Sequence, residues 1–297
     1  MIIVDNQIVE IGKFPDGTLH ITPPSPKVYK IIQGRINNET KCCGVTITWL
    51  YENNEEMVAV LFLARHYQNK GAPIRLVMPY IPNARQDRVK SEQDLFTLKY
   101  FANFINEIGF ECVTVLDPHS SVSEALFNHL TVESPKKYID KALSSVSRLP
   151  ELIEEPDSFM VFYPDEGSMK RYSGMLNIPY AFGMKRRDWG TGKIQGLDVA
   201  GRTDLIEGSN ILIIDDICSR GGTFYHSANK LKELGADHIY LYVTHCEPTI
   251  LEGDIFKSEL IDKVFTTNSI FREKDIERAK EIGVADKIEV FYYEEQY

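Results

Sequence analysis

The chain has 297 residues, 43% apolar and 26% charged, a balance that builds one large domain or two of ordinary size and excludes disorder as the main state. Its longest uninterrupted apolar run, Met57 to Ala64, is far short of the ~20 residues that a membrane-crossing helix needs. Forty-three acidic against 33 basic residues give a net charge of −10, which excludes a broad electrostatic surface for DNA or RNA and leaves anionic ligands to local basic clusters.

The opening MIIVDNQIVEIGKF has no basic leader before its apolar residues, carries Asp5 and shows no small-residue cleavage pattern, so a secretion signal is not expected. In chain order, β-branched runs at Gly44–Leu50, Ile74–Pro79, Cys112–Leu116, Phe159–Pro164, Asn210–Asp215, His238–Val243 and Lys287–Tyr292 predict strands. Helical spacing fills Glu55–Tyr67, Leu95–Ile108, Thr223–Leu234 and Glu273–Ile282. In the second of these, Leu95, Leu98, Phe101, Ala102 and Ile105 fall on one face, fit to pack on a sheet. Strand–helix alternation of this kind predicts an α/β fold of right-handed units with mainly parallel sheets flanked by helices. The polar stretch Ser134 to Asp157 near the midpoint predicts two tandem domains, 1–145 and 146–297. Cys42, Cys43, Cys112, Cys218 and Cys246 are odd in number and contain no C-x-x-C pair. Free thiols in a reducing cytoplasm are expected, and no zinc site.

In open α/β sheets ligands bind beyond the carboxyl ends of the strands, and here those ends are unusually polar. LVMPY runs into IPNARQDRV, VTVLD into PHS, VFYP into DEGSMKR, YAFGM into KRRDWGTGK, ILII into DDICSRGGT, and LYVT into HCEP. The sharpest is ILIIDDICSRGGTF: a buried strand, two acids, then Gly-Gly-Thr opening a helix whose N-terminal amides and dipole favour an anion. The segment is neither G-x-G-x-x-G nor G-x-x-x-x-G-K-[ST]. It reads as a phosphate cradle with acids for sugar hydroxyls, against the alternative of plain turn chemistry.

This string resembles the PRPP-binding signature shared by type I phosphoribosyltransferases and ribose-phosphate diphosphokinases. PYIPNARQDRV, DPHSS, YPDEGSMKRY, MKRRD and FPDGTLHI are similar to the ATP, metal-histidine, second metal, catalytic-loop and adenine segments of the diphosphokinases, in the same order along the chain. That resemblance implies two tandem domains of the type I phosphoribosyltransferase kind, ATP being held on the N-terminal side and ribose phosphate on the C-terminal side. It implies transfer of the β,γ-diphosphoryl group of ATP to the 1-hydroxyl of ribose 5-phosphate, giving PRPP and AMP. By resemblance, Lys185 and Arg187 are catalytic, from a loop that Gly190 and Gly192 would let close; a solvated surface triplet is the competing reading of KRR. Phe14, Asp16, Arg85 and Gln86 bind ATP, with core packing as the alternative for Phe14. Asp215, Asp216, Ser219, Arg220, Gly221, Gly222 and Thr223 hold the ribose phosphate, and His119 and Asp165 serve Mg2+. Also implied are ATP and a phosphorylated ribose as partners, a cytoplasmic homo-oligomer built from dimers up to a hexamer, and no nucleic acid or membrane.

Three departures stand out. Ser219 and Arg220 replace the Asp-Thr pair of D-D-x-x-D-T-x-G-T; Thr18 replaces the usual glutamate of the adenine segment; and SSVSEALF lacks the glutamines of Q-I-Q-G-F-F. Two alternatives therefore stand beside PRPP synthesis. One is the same transfer to a 5-substituted ribose such as ADP-ribose, as in NAD salvage, where Arg220 would serve a second phosphate. The other is a non-catalytic regulatory paralogue.

Overall fold

The computed structural model describes residues 1–25, 44–148, 159–187 and 194–294, with the backbone alone at 185–187 and 194–195. Cys42, Cys43, Gly190 and Gly192 lie outside the described residues. The chain divides into two compact units, Met1–Ser134 and Pro135–Tyr297.

In the first unit, β1 (Ile2–Val4), β2 (Gln7–Ile8), β5 (Val45–Trp49), β6 (Ile74–Val77), β7 (Cys112–Leu116) and β8 (Leu130–Glu133) form a sheet in the order β2-β1-β5-β6-β7-β8. β5 to β8 are parallel, while β1 pairs antiparallel with both β2 and β5. In β5 the alternation that makes a strand is visible directly: Val45, Ile47 and Trp49 are buried and the two threonines between them only partly so. Trp49 is fully buried and its indole N–H donates to Glu56 Oε2 at 2.9 Å, which satisfies the polar end of an otherwise apolar side chain. Glu56 lies in α1 (Glu55–Gln68), followed by α2 (Thr97–Ile108) and the short α3 (Ser121–Leu126). The apolar stripe of α2 is buried as its spacing predicts, through Leu98, Phe101, Ala102, Ile105 and Ile108. Leu95 is an exception: it precedes the helix and is 64% exposed. A separate hairpin of β3 (Glu10–Lys13) and β4 (Leu19–Thr22) was not predicted: β3 is exposed throughout, and in the four-residue β4 only Leu19 and Ile21 pack on the core.

The second unit opens with α4 (Lys136–Val146). Its sheet contains β9 (Phe159–Tyr163), β10 (Tyr180–Arg187), β11 (Ile194–Gly201), β12 (Asn210–Cys218), β13 (Ile239–Cys246), β14 (Lys263–Thr267) and β15 (Ile288–Phe291), ordered β11-β10-β9-β12-β13-β14-β15. Every neighbour is parallel except the β10–β11 ribbon. Its described helices also include α5 (Glu166–Tyr172), α6 (Gly222–Glu233) and α7 (Glu273–Glu281). The division falls between Ser134 and Pro135 rather than at 145/146, because α4 packs on β13 and β14 and so goes with the second sheet. Both sheets are mainly parallel and flanked by helices, as the alternation of segments predicts. Among the described residues, no helix is long and apolar enough to cross a membrane.

Candidate active site

In the first unit the expected ATP residues lie on the hairpin tip and on the loop after β6. The tip is a tight turn: Phe14 N–H donates to Thr18 O at 2.8 Å and Gly17 N–H donates to Phe14 O at 2.9 Å. Gly17 makes the turn with φ +85°, a conformation that costs glycine little. Thr18 donates its amide and its hydroxyl to Asp16 Oδ1 at 3.0 and 2.7 Å, and these bonds hold the Asp16 carboxyl below its ordinary pKa. Phe14 is 50% exposed, which removes the core reading. Its ring meets His20 edge-on at 4.9 Å. It also lines, with Leu19, His20, Phe62 and His66, a cleft of about 440 Å³.

After β6, Arg85 and Gln86 are exposed and Asp87 is buried. Gln86 is partly committed to structure, since the Thr97 hydroxyl at the start of α2 donates to its side-chain carbonyl. Arg88 grips Asp87 with two hydrogen bonds, at 2.8 and 3.1 Å. Arg88, first of the causes, keeps the Asp87 carboxyl below the usual range, and His119 adds to the same effect. His119 follows β7 in the same unit and is half-buried.

In the second unit the cradle forms as its sequence suggests, on a longer strand than expected. β12 does not stop at the two acids; it stays paired with β13 through Ile217 and Cys218. Gly221 then caps α6 with φ +79°. A Cβ on Gly221 would lie 2.2 Å from Ile255 Cδ1, so both conformation and space call for glycine. Ser219 is held by its hydroxyl, 3.2 Å from Thr249 Oγ1. Behind the loop, the position a Cβ would take on Gly253 is 1.9 Å from Arg220 O, so the turn Pro248–Gly253 backs directly onto the cradle. Arg220 is exposed and pairs with Glu252 at 3.7 Å, and Arg278 of α7 reaches the same carboxylate at 3.2 Å.

Three carboxylates collect at the strand ends. Asp216 is buried and pairs with Arg171 of α5 at 3.3 Å. Asp215 is half-buried and accepts the Asp216 amide at 3.0 Å. Burial first, then the neighbouring Asp216 and Asp165, push the Asp215 carboxyl well above its ordinary pKa. Asp165, two residues beyond β9, caps α5, accepting from Gly167 N at 3.0 Å and Ser168 N at 3.2 Å. Carboxylates this close repel one another, which a sugar hydroxyl or a hard cation beside them would relieve.

The structure assembles the seven cradle residues and Asp165 in one unit, and Phe14, Asp16, Arg85, Gln86 and His119 in the other. His119 and Asp165 thus belong to different units, and among the described residues no group of three His, Cys, Asp or Glu side chains makes a ready metal cage. Lys185 and Arg187 have their backbones in β10, paired with Leu197 and Ile194 of β11, and their side chains lie outside what is described. Of the cysteines, Cys112, Cys218 and Cys246 are free thiols, and burial, first of the causes, pushes the Cys246 thiol well above its usual range. Sequence reasoning missed Arg171, Thr249, Glu252 and Arg278. Only Arg171 lies in a segment that drew attention, and nothing local marks Glu252 or Arg278 as neighbours of the cradle.

No protein-family model matches the chain. A ribose-phosphate pyrophosphokinase of Thermococcus kodakarensis is 29% identical over 88% of this chain and 85% of its own length. One of Clostridium perfringens is 27% identical over 88% and 77%. The fold agrees: the phosphoribosylpyrophosphate synthetase of Mycobacterium smegmatis superposes with a TM-score of 0.70, covering 96% of this chain and 86% of that one at 17% identity. Over most of its length the chain is similar to ribose-phosphate pyrophosphokinases. Its two mainly parallel sheets match the fold of that synthetase, and Ser219 and Arg220 stand where the cradle sequence departs from the motif it resembles.

Proposed function

We propose that the protein is an ATP-dependent diphosphokinase acting on the anomeric hydroxyl of a 5-phosphorylated ribose. With ribose 5-phosphate, the substrate for which its relatives are named, the products are PRPP and AMP. The observation that carries this reading is the cradle 219–223, closed by the left-handed Gly221 at the N-terminus of α6 and adjoining the Asp215–Asp216 pair. Backbone amides there take the 5-phosphate, and the carboxylates take ribose hydroxyls. Attack by the 1-oxygen on the β-phosphorus breaks the bond to the oxygen bridging the α- and β-phosphorus atoms; AMP leaves with that oxygen, and the hydroxyl proton is released.

Such a transfer depends on positioning and on cations around the moving phosphoryl oxygens. Lys185 and Arg187 supply fixed positive charge. Mg2+ brought with the ATP phosphates would supply the rest; the hard oxygens of Asp165 would suit it, and His119 is the other residue that the resemblance assigns to a metal. Phe14 and Asp16 meet the adenine while Arg85 and Gln86 meet the phosphates. In a dimer-based homo-oligomer the hairpin that carries Phe14 serves a neighbouring subunit's ATP. The reducing cytoplasm, where the described cysteines stay as thiols, is the proposed setting.

Incubation with ATP, Mg2+ and ribose 5-phosphate, with products identified by mass, tests the reading. AMP is expected, and only when an acceptor with a free anomeric hydroxyl is present. Release of ADP and orthophosphate, or acceptor-independent turnover, overturns it.

A further inference from the structure

Beside the cradle, two guanidinium groups share one carboxylate. Arg220 stands where the family motif has a small hydroxyl residue, and its NH2 lies 3.7 Å from Glu252 Oε2. Arg278, one turn from the C-terminal end of α7, places its NH2 3.2 Å from Glu252 Oε1. The arrangement carries a net positive charge on an otherwise acidic molecule. All three side chains are well exposed, at 74%, 41% and 47% for Arg220, Glu252 and Arg278. Exposed ion pairs of this length contribute little to stability, because water solvates the separated charges nearly as well. A phosphate oxygen meeting an arginine fork makes shorter, charge-assisted hydrogen bonds that are roughly twice as strong as neutral ones. An anion arriving at this place therefore exchanges for Glu252 at small cost.

The backbone fixes where that exchange occurs. Gly253, next in the chain to Glu252, leaves no room for a Cβ against Arg220 O, and Ser219 bonds to Thr249 at the start of the same turn. The carboxylate and the cradle are thus held in one register. A single 5-phosphate would be held by the cradle amides and small hydroxyls; Arg220 is the residue before the cap Gly221, and Glu252 ties Arg278 to it. A second phosphate attached to the first is the group that reaches them.

We propose that Arg220 and Arg278 form a subsite for a second phosphate on the acceptor's 5-substituent, with Glu252 as its resting counter-ion. The acceptor class is then a ribose 5-diphosphate derivative with a free anomeric hydroxyl. This rests on the cradle holding the 5-phosphate, as under the proposed function.

The test compares ADP-ribose with ribose 5-phosphate as acceptors for the whole protein, by AMP formation and by calorimetric binding without ATP. Wild-type protein is expected to accept both. Arg278→Ala should lower the ADP-ribose to ribose 5-phosphate ratio of kcat/KM by about tenfold, the effect of one charge-assisted hydrogen bond. Glu252→Gln should raise the same ratio, through KM rather than kcat. The proposal is overturned if the variants move both acceptors by one factor or leave both unmoved, or if wild-type protein neither binds nor uses ADP-ribose. A protein that forms no AMP with either acceptor fails the diphosphokinase reading instead, and the binding ratios in the same variants then decide the subsite alone.

Discussion

The environment of Asp215 opposes its charge. Its carboxyl pKa is raised by burial and by Asp216 and Asp165, so the folded state holds a proton that the unfolded chain releases. A raised acid of this kind favours folding below the ordinary carboxylate value of 3.8 and loses that contribution as pH rises through its folded value. Asp215→Asn keeps the shape and removes the ionisable group. We expect the variant to melt about 2–4 °C higher than wild type at pH 7, as for ~1 kcal/mol in a protein of this size. The difference should vanish as pH falls toward 4, and AMP formation should be lost. A wild-type protein at least as stable as the variant at pH 7 contradicts the assigned cause. Asp16 shows the opposite effect: its hydrogen bonds from Thr18 lower its pKa. Thr18, conspicuous in the sequence as a departure, thus orders the aspartate two residues before it.

At the scale of elements, the cradle is a loop held by a turn that is distant in sequence. Gly221→Ala must adopt a left-handed conformation, costing about 1–2 kcal/mol, and must also displace Ile255. Adding Ile255→Ala removes the clash and leaves the strain, so the double variant should recover only part of the lost melting temperature. Gly253→Ala drives a Cβ into the carbonyl of Arg220 and should weaken ribose 5-phosphate binding more than Gly222→Ala, whose Cβ would meet nothing within 4 Å. Isothermal binding of the three variants checks that order. Much of this element was legible: ILII followed by Asp-Asp and Gly-Gly-Thr announces strand, acids and helix start. The extension of β12 to Cys218 was not, because pairing with Thr244–Cys246 of β13 keeps it extended, and that pairing is a tertiary choice. The Arg220–Glu252–Arg278 contacts were illegible for the same reason, since each partner comes from a different loop or helix.

Over the whole molecule, two mainly parallel sheets divide the proposed substrates between an ATP side and a ribose-phosphate side. Strand and helix alternation was enough to foresee the two sheets and the resemblance assigned their sides, while α4 went to the second unit because its buried face, Tyr138, Ile139, Ala142 and Val146, matches a sheet formed later in the chain. If Lys185 and Arg187 act on the transferring group, replacing either by Ala should lower kcat by about 100-fold or more with small change in KM. Near-normal kcat returns KRR to a solvated surface role. The burial of Trp49 in the first unit has a practical consequence. The chain has two tryptophans, Trp49 and Trp189, and in a Trp189→Phe variant all indole emission comes from the first unit. Its fluorescence then reports the melting of the first unit alone, while calorimetry records both units. ATP and ribose 5-phosphate, added separately, should shift these two signals by different amounts.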